Sequence, residues 1–560
     1  TIWLKEPRFE QCNLGATSNR IINSVNISSS PFQHSMMYLL FGFCAALSAR
    51  ALDTISLQQR PGQHRVFTDS KGRERIFHGT NAVVKGPPWH PDSQSFSTDI
   101  SMSKDDFELM RKLGLNVLRL GVFWAGVEPL RGQYNESYLD QIEHIVDLAA
   151  AHGVYTFLDL HQDGLSEYFC GEGMPSWAVR RTAIPRFAFP FPYDKPVNES
   201  DTYVEKGLGG EPRIPSRQGC RCKKGPGWGE SGRETAQAYQ AIYSNWNGVG
   251  DAFAAMWKKV ASKFAHRPDI LGLELFNEPF AGDFYEDPLI MVPYPNPHNA
   301  DVKKLQPLYD RINAAVREVD NDVLLFFMGI TWDDFGAGFT APPGGKDYAN
   351  RSVLGYHYYK PPQKSVPFQF EAFNVAASRL QTAAFMTESD HAPGREVAAG
   401  DIGDGADAFL QSWTSWEWKN FFRGCSSDVS QLCEWGADKT GAGSQWPGPE
   451  ASASFQKGFA RTYATAIAGE AKKMFFNVTN GDFELQYTIK NSDSKVPTEI
   501  FVWPERYPGG AHAVAMASSG SMQVDYDDKR SRYLVYASSG VKEGSLVVVK
   551  ISNKMESILV

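Results

Sequence analysis

Two short apolar runs in this sequence end in a glutamate, and a pair of glutamates is what chemistry at a glycosidic bond requires. The first run is Leu273-Glu-Leu-Phe-Asn-Glu-Pro279 and the second is Ala384-Phe-Met-Thr-Glu388. Side chains alternate along a strand and proline cannot continue its ladder, so Glu278 is expected at a strand end, with Pro279 stopping the strand there. Hydrolysis with retention needs one carboxyl group protonated and one ionised at the same pH, about 5 Å apart. Close placement is expected to supply this difference. The charge of Glu388 and partial burial raise the pKa of Glu278, which then gives a proton to the departing oxygen while Glu388 attacks carbon. Once Glu388 has bonded to the sugar its charge is gone, so Glu278 acidifies and acts as base toward water. A lone strand-end carboxylate is more often half of a salt bridge. Two in matching contexts favour the reactive reading.

Carboxylates this far apart in the chain meet only if the elements between them close into one scaffold. From about Arg75 to Trp418 short β-branched or apolar runs alternate with amphipathic patterns, the rhythm of βα units around a parallel sheet. Strand candidates cover 76–80, 117–121, 155–160, 271–276, 324–328, 353–358, 384–386 and 410–416, enough for an α/β fold of the (β/α)8 TIM-barrel type. Helical patterns cover 104–113, with Ser103 and Asp106 in a capping-box arrangement, then 138–151, 251–265, 308–319 and 373–381. Those expected after the fifth and seventh strands are weak. Residues 170–247, rich in Gly, Pro and aromatics, read as an elaborate loop at the face where strands end. After Ala468 the segments FELQYTI, TEIFVW, YLVYASSG and SLVVVKIS predict a small C-terminal antiparallel β-sandwich. The expected domains are a leader over 1–51, a catalytic barrel over 52–468 and the sandwich over 469–560.

Other segments supply groups suited to a sugar. Arg119 can hold a carboxylate ionised through a forked pair, or serve as a buried structural ion pair. Asn277 can bond a sugar 2-hydroxyl, an interaction that strengthens as charge develops at the anomeric carbon. Tyr359 can donate to Glu388 and His357 can fix a neighbour, although both also suit a core position. Trp416 offers a flat face to a pyranose, whereas Trp413 and Trp418 read as core. A metal site from His161, Asp159 and Asp163 has suitable ligands, but it is disfavoured on the ground that alternate strand residues face opposite ways and no further His lies in a matching context. A Cys220-x-Cys222 zinc site has the wrong spacing. There is no Gly-x-Ser-x-Gly elbow for a serine triad.

Read in order, these segments resemble glycoside hydrolase family five, and within it the endoglycoceramidases, which cleave the oligosaccharide from ceramide in glycosphingolipids. Gly79-Thr-Asn-Ala82 with Lys85 resembles the opening strand and its sugar-facing lysine, and Asn116-Val-Leu-Arg119-Leu resembles the strand carrying the arginine beneath the nucleophile. Asp159-Leu-His161-Gln-Asp163 is similar to the motif whose acidic and imidazole groups ligate sugar hydroxyls. Asn277-Glu278-Pro279 resembles the acid/base motif, His357-Tyr-Tyr359 the histidine and tyrosine near the reaction centre, and Thr387-Glu388-Ser389 the nucleophile motif. Trp413-x-x-Trp416 resembles the last strand, whose second tryptophan is the floor under the cleaved sugar; Arg461-x-Tyr463 and Ala466-Ile-Ala-Gly469 resemble the passage into the C-terminal domain. The resemblance implies a retaining β-glycosidase with Glu278 as acid/base and Glu388 as nucleophile, acting on a glycosphingolipid with no cofactor, no metal and no stable protein partner. The alternatives are a glucosidase for steryl or simple lipid glucosides, or a non-enzymatic glycolipid-binding protein, against which the presence of both glutamates argues.

Composition narrows the setting. With 56 basic and 64 acidic residues, the chain carries no field that would hold a polyanion, so nucleic acid is not an expected partner. The apolar run 36–47 is too short to span a bilayer but suits the h-region of a signal peptide, with small residues at 46–51 for cleavage, and residues 1–35 read as upstream sequence. Sequons at Asn135, Asn198, Asn350 and Asn477 agree with a secreted or lumenal protein. Beyond the leader lie Cys170, Cys220, Cys222, Cys425 and Cys433: Cys425 with Cys433 is a local pair, and Cys170 can close onto either Cys220 or Cys222. The apolar segments 186–193 and 288–294 can accept lipid chains, meet a micelle or membrane surface, or pack on their own barrel, and the basic Arg221-x-Lys-Lys224 can face an anionic headgroup.

Overall fold

The computed structural model describes residues 52–97, 100–169, 171–180, 232–330, 336–359, 365–389, 396–419, 421, 453–490 and 495–554. Three short strands come first, β1 (Ser56–Gln59), β2 (Arg65–Thr68) and β3 (Glu74–Arg75). The next eight are parallel neighbours and close on themselves: β4 (His78–Ala82), β5 (Val117–Val122), β6 (Tyr155–Leu160), β7 (Ile270–Glu274), β8 (Leu325–Phe327), β9 (Ser352–Tyr358), β10 (Ala383–Ser389) and β11 (Ser412–Ser415). This is the expected (β/α)8 barrel, and each strand overlaps its sequence candidate.

Its interior is layered because side chains two residues apart on a strand share a face. Val117, Phe157, Phe326 and Phe385 form one buried apolar cluster with Leu57 and Phe67 of the β1–β2 hairpin. Phe157 stacks on Phe326 with ring centroids 4.8 Å apart, and Phe67 meets Phe385 edge-on at 6.0 Å. The hairpin therefore closes the N-terminal end of the barrel. Two residues further along the same strands, Arg119 follows Val117 and Asp159 follows Phe157, both buried. Each fully buried Phe contributes about 1.5–3 kcal/mol, and this apolar floor offsets the cost of the charged layer above it.

Helices Lys104–Lys112, Glu136–Ala151, Val249–Phe264, Gln306–Arg317 and Val366–Leu380 match the predicted ones. At the first, the Asp106 carboxylate accepts from the Ser103 N–H at 2.8 Å. Two helices differ from expectation. Arg233–Tyr243 is helical within the stretch read as loop, because Ala236, Tyr239 and Ile242 recur at helical spacing and are buried. Glu396–Phe409 follows β10 where the pattern is weak, since its glycines each cost about 1 kcal/mol of helix propensity against Ala. Packing accounts for them: a Cβ at Gly403 would lie 2.8 Å from the Arg461 guanidinium, and one at Gly405 would lie 2.3 Å from Val366 Cγ1. Between β8 and β9 the helix among the described residues is the short turn Lys346–Arg351.

The remaining strands are β12 (Tyr463–Ile467), β13 (Gly469–Phe476), β14 (Phe483–Ile489), β15 (Thr498–Phe501), β16 (His512–Ala517), β17 (Met522–Asp527), β18 (Arg532–Ala537) and β19 (Leu546–Ser552). They build two antiparallel sheets, one ordered β13-β14-β19-β16 and one ordered β1-β2-β3-β12-β15-β18-β17. Residues 56–75 thus pair with C-terminal strands while plugging the barrel. Arg461 joins the two parts: it is buried and ion-paired to Asp404 at 2.7 Å and Asp407 at 2.6 Å on the barrel helix. Every cysteine, and the segments 186–193 and 221–224, lie outside the described residues. No helix among the described residues is long and apolar enough to cross a membrane.

Gly405→Ala tests the packing account. The added methyl gains about 1 kcal/mol of helix propensity, but overpacking against Val366 and Phe370 costs about 1–3 kcal/mol, so a net loss in thermal midpoint is expected. A raised midpoint would show that this helix has room to spare.

Candidate active site

The charged layer is centred on Arg119 of β5, whose side chain is fully buried. Its Nε donates to Glu274 at 2.5 Å, one terminal nitrogen to Asn81 at 2.8 Å and Glu388 at 3.0 Å, and the other to Asn277 at 2.7 Å, with Asp159 in ionic contact at 3.0 Å. Burial opposes its charge, but Asp159, Glu274 and Glu388 more than offset that and hold its pKa above the ordinary arginine value. The fork expected on Glu388 is therefore shared among several acceptors. Glu274 was missed as a site residue: a carboxylate inside the apolar run 271–276 is the only sequence signal, and the run as a whole reads as a strand. Burial pushes the pKa of Glu274 up, against the pull of Arg119. Gly355 gives it space, since a Cβ there would lie 3.1 Å from its Oε1.

Glu388 reaches the interior through a register shift. β10 and β9 pair regularly up to Met386 with Tyr356, then slip so that Glu388 sits opposite His357. Such a bulge re-aims a side chain, and it turns Glu388 toward the same interior as Phe385 three residues earlier. Glu388 Oε2 accepts from Arg119 and Oε1 accepts a short hydrogen bond from the Tyr359 hydroxyl. Both partners are donors to its carboxylate oxygens.

Glu278 lies just beyond β7 with φ of +37°, in the left-handed region. His357 Nδ1 is 2.7 Å from its Oε1 and 3.8 Å from Glu388 Oε1. One oxygen of Glu278, one nitrogen of His357 and one oxygen of Glu388 all lie within 4.8 Å of one another. The side chain of Glu278 is 30 % exposed against 8 % for Glu388, so Glu278 is the one that faces the mouth. Its pKa is pushed up to about 7, first by burial and then by the charge of Asp163. The leading neighbouring charge is thus Asp163, in place of the Glu388 charge expected from sequence. Burial lowers the pKa of His357, with Glu388 pulling the other way.

A second group of charges flanks Trp416. Asp159 Oδ2 lies 2.7 Å from His161 Nδ1, and His161 Nε2 lies 3.5 Å from Asp163. Burial opposes protonation of His161, but Asp159 and Asp163 raise its pKa to about 9. Lys85 forms a close ion pair with Asp163, lies 3.9 Å from Glu172 and stands 4.7 Å over the Trp416 ring. Trp416 stacks on His161 with centroids 5.5 Å apart. Contrary to the expectation from the strand, Asp159, His161 and Asp163 do not face opposite ways: they are two apart, share a face and touch. His161, Asp163 and Glu172 are close enough to ligate one cation, but the Lys85 ammonium already neutralises that place. Trp413 and Trp418 are fully buried, as expected of core residues.

Every sequence-predicted residue therefore enters one connected network. Lys85, Asp163, His161, Asp159 and Trp416 form its one arm; Arg119, Asn277, Glu388, Tyr359, His357 and Glu278 form the other. Asn277 Oδ1 accepts from Arg119, and one N–H of its amide donates to the Gln162 carbonyl at 3.1 Å, while the amide carries a second N–H.

The sequence matches the model of the cellulase family, glycosyl hydrolase family 5, over residues 71–422, and that of the glycoside hydrolase family 5 C-terminal domain over 461–551. The chain belongs to glycoside hydrolase family 5. It is 36% identical to an endoglycoceramidase of Hydra vulgaris over 85% of this chain and 86% of that protein. It is 39% identical to an endoglycoceramidase of Cyanea nozakii over 76% of this chain and 80% of that protein. Among solved structures it resembles endo-glycoceramidase II from a Rhodococcus species in its ganglioside GM3 complex, with a TM-score of 0.60 and 18% identity, covering 87% of this chain and 98% of that one. A family 5 glycoside hydrolase is an enzyme.

Arg119→Met leaves Asp159, Glu274 and Glu388 buried without their cation. The expected loss is about 3–5 kcal/mol in urea unfolding. A loss below about 1 kcal/mol would mean that these carboxylates stabilise one another without it.

Proposed function

We propose that this enzyme is a retaining endoglycoceramidase, which cleaves the bond between the oligosaccharide and ceramide of glycosphingolipids through a covalent glycosyl-enzyme. The observation that carries the mechanism is the carboxyl pair, whose oxygens approach within 4.8 Å. Retaining enzymes need about 5–5.5 Å, whereas inverting ones need about 6.5–9.5 Å to seat a water between the groups. Glu388, oriented by Arg119 and Tyr359, attacks the anomeric carbon. Glu278 protonates the departing ceramide oxygen and then takes a proton from water, and His357 turns its carboxyl toward the bond. Trp416 carries the sugar, with Lys85, His161 and Asp163 at its hydroxyls.

The substrate class is supported by the two cnidarian relatives, which are endoglycoceramidases over most of both chains. On the leaving-group side, the segment after Glu278 exposes Leu289 and Val292 while burying Ile290, a surface suited to lipid or to a membrane or micelle presenting it. Secretion or a lumenal setting is part of this reading. It is supported by the apolar run 36–47 and by sequons at Asn135 and Asn350, both exposed.

Incubation with lactosylceramide or a ganglioside is expected to release intact oligosaccharide and ceramide, and Glu388→Gln is expected to abolish turnover with the fold retained. Stepwise monosaccharide release, or activity on steryl glucosides alone, would replace the proposal with a glucosidase. Undiminished activity in Glu388→Gln would remove the assigned nucleophile.

The pH profile has a defined sign. Glu278 must be protonated in the free enzyme, so kcat/KM is expected to fall as pH rises through about 7. Asp163→Asn removes the anion that raises this pKa, and so moves the alkaline limb to lower pH. A limb that stays in place, or moves upward, would show that Asp163 does not set it.

A further inference from the structure

The left-handed backbone at Glu278 needs a cause. A bulky residue at φ of +37° is uncommon outside glycine, and Pro279 further restricts the residue before it. Such a conformation persists where surrounding contacts over-determine it, and here they converge from a neighbouring strand end. Gln162, two residues beyond β6, is buried. Its Nε2 donates to the carbonyls of both Asn277 and Glu278, at 2.8 and 3.1 Å. Its Oε1 accepts from the buried Tyr239 hydroxyl at 2.7 Å and from the Leu165 N–H at 2.9 Å. The clasp is reciprocal, because Asn277 Nδ2 donates back to the Gln162 carbonyl at 3.1 Å. Around it, the Asn277 N–H reaches the Leu160 carbonyl at 2.9 Å and the Glu278 N–H points at Met328 Sδ at 3.2 Å.

We propose that Gln162, oriented by Tyr239, is the positioning residue for the acid/base: its amide bridges the two carbonyls flanking the strained turn and so fixes where the Glu278 carboxyl points. This rests on the reading of Glu278 as acid/base. Gln162 bonds backbone groups and the Tyr239 hydroxyl, so it acts through Glu278 and not on the sugar. Its two amide hydrogens each find a carbonyl and its oxygen takes two donors, so no hydrogen-bonding capacity remains for substrate. Tyr239 lies on the helix Arg233–Tyr243, and this gives that helix a task at the reaction centre.

The test compares two leaving groups. The ceramide of lactosylceramide departs as a poor alkoxide leaving group and needs a proton from the acid, whereas the dinitrophenolate of a dinitrophenyl β-lactoside leaves without it. Glu278→Ala should lose about 10²–10⁴-fold in kcat/KM on lactosylceramide and keep near wild-type kcat/KM on the dinitrophenyl substrate, where that ratio reports the first bond cleavage. Gln162→Ala is expected to show the same split, with a loss on the order of 10²-fold on lactosylceramide and little on the activated substrate. Tyr239→Phe should show a weaker form of it, and decides the matter if Gln162→Ala does not fold. Equal losses on both substrates, or no loss on either, would overturn the positioning role while the split in Glu278→Ala leaves the reading of Glu278 standing. Absence of the split in Glu278→Ala itself would remove both.

Discussion

A single buried guanidinium holds the centre of this enzyme together. Arg119 faces Asp159, Glu274 and Glu388 at once inside the barrel, and none of these could be buried in that place without it. Charge balance then dictates much of the rest. Three carboxylates around one cation leave net negative charge, while the second arm sets Lys85 and a His161 whose pKa is raised to about 9 against its own Asp163 and Glu172. Glu278 sits outside the reach of Arg119's hydrogen bonds, mostly buried, with His357 as its contact. The same electrostatic field therefore treats the two glutamates differently: one is held by donors, the other is pushed toward its neutral form.

The barrel makes this charge cluster affordable by confining it to one layer. Below it the aromatic floor of Phe157, Phe326 and Phe385 excludes water, and the β1–β2 hairpin seals that end. The seal belongs to a sheet shared with C-terminal strands, so the C-terminal domain supports the closed end of the barrel and leaves the open end to the loops. This division agrees with the general placement of chemistry at the C-terminal ends of barrel strands.

What was legible in the sequence follows from what each residue must do locally. Glu278 and Glu388 could be read because each closes an apolar run, and the eight strands could be read because buried parallel strands are short apolar runs. Glu274 and Gln162 could not be read in the same way. Gln162 lies inside the Asp159-Leu-His161-Gln-Asp163 motif and Glu274 inside an apolar run, but the groups each one holds lie on other elements, and nothing adjacent in the chain shows which they are. The face shared by Asp159, His161 and Asp163 follows from period-two geometry, which their spacing in the sequence contains. The helix Glu396–Phe409 was hidden because its glycines serve tertiary packing against Val366 and Arg461 at the expense of local propensity. The hairpin at 56–68 carries a periodicity too short to show which sheet it joins.

Strand order also gives the site a direction. Trp416 follows β11 and Lys85 follows β4, adjacent strands in the barrel, with Asp163 beyond β6, while Glu278 follows β7 on the other side of β6. On the proposed reading, the acid must stand beside the oxygen that departs, so the aglycone lies toward the loop after β7 and the retained glycan toward β11, β4 and β5. The chain distributes its surface accordingly. The polar arm of Lys85, His161 and Asp163 lies on the glycan side, where hydroxyls need donors and acceptors, and Leu289 and Val292 are exposed in the loop that follows Glu278. A site that distinguishes sugar from lipid needs this polarity across the scissile bond, and the circular order of the strands decides which loops supply each side of it.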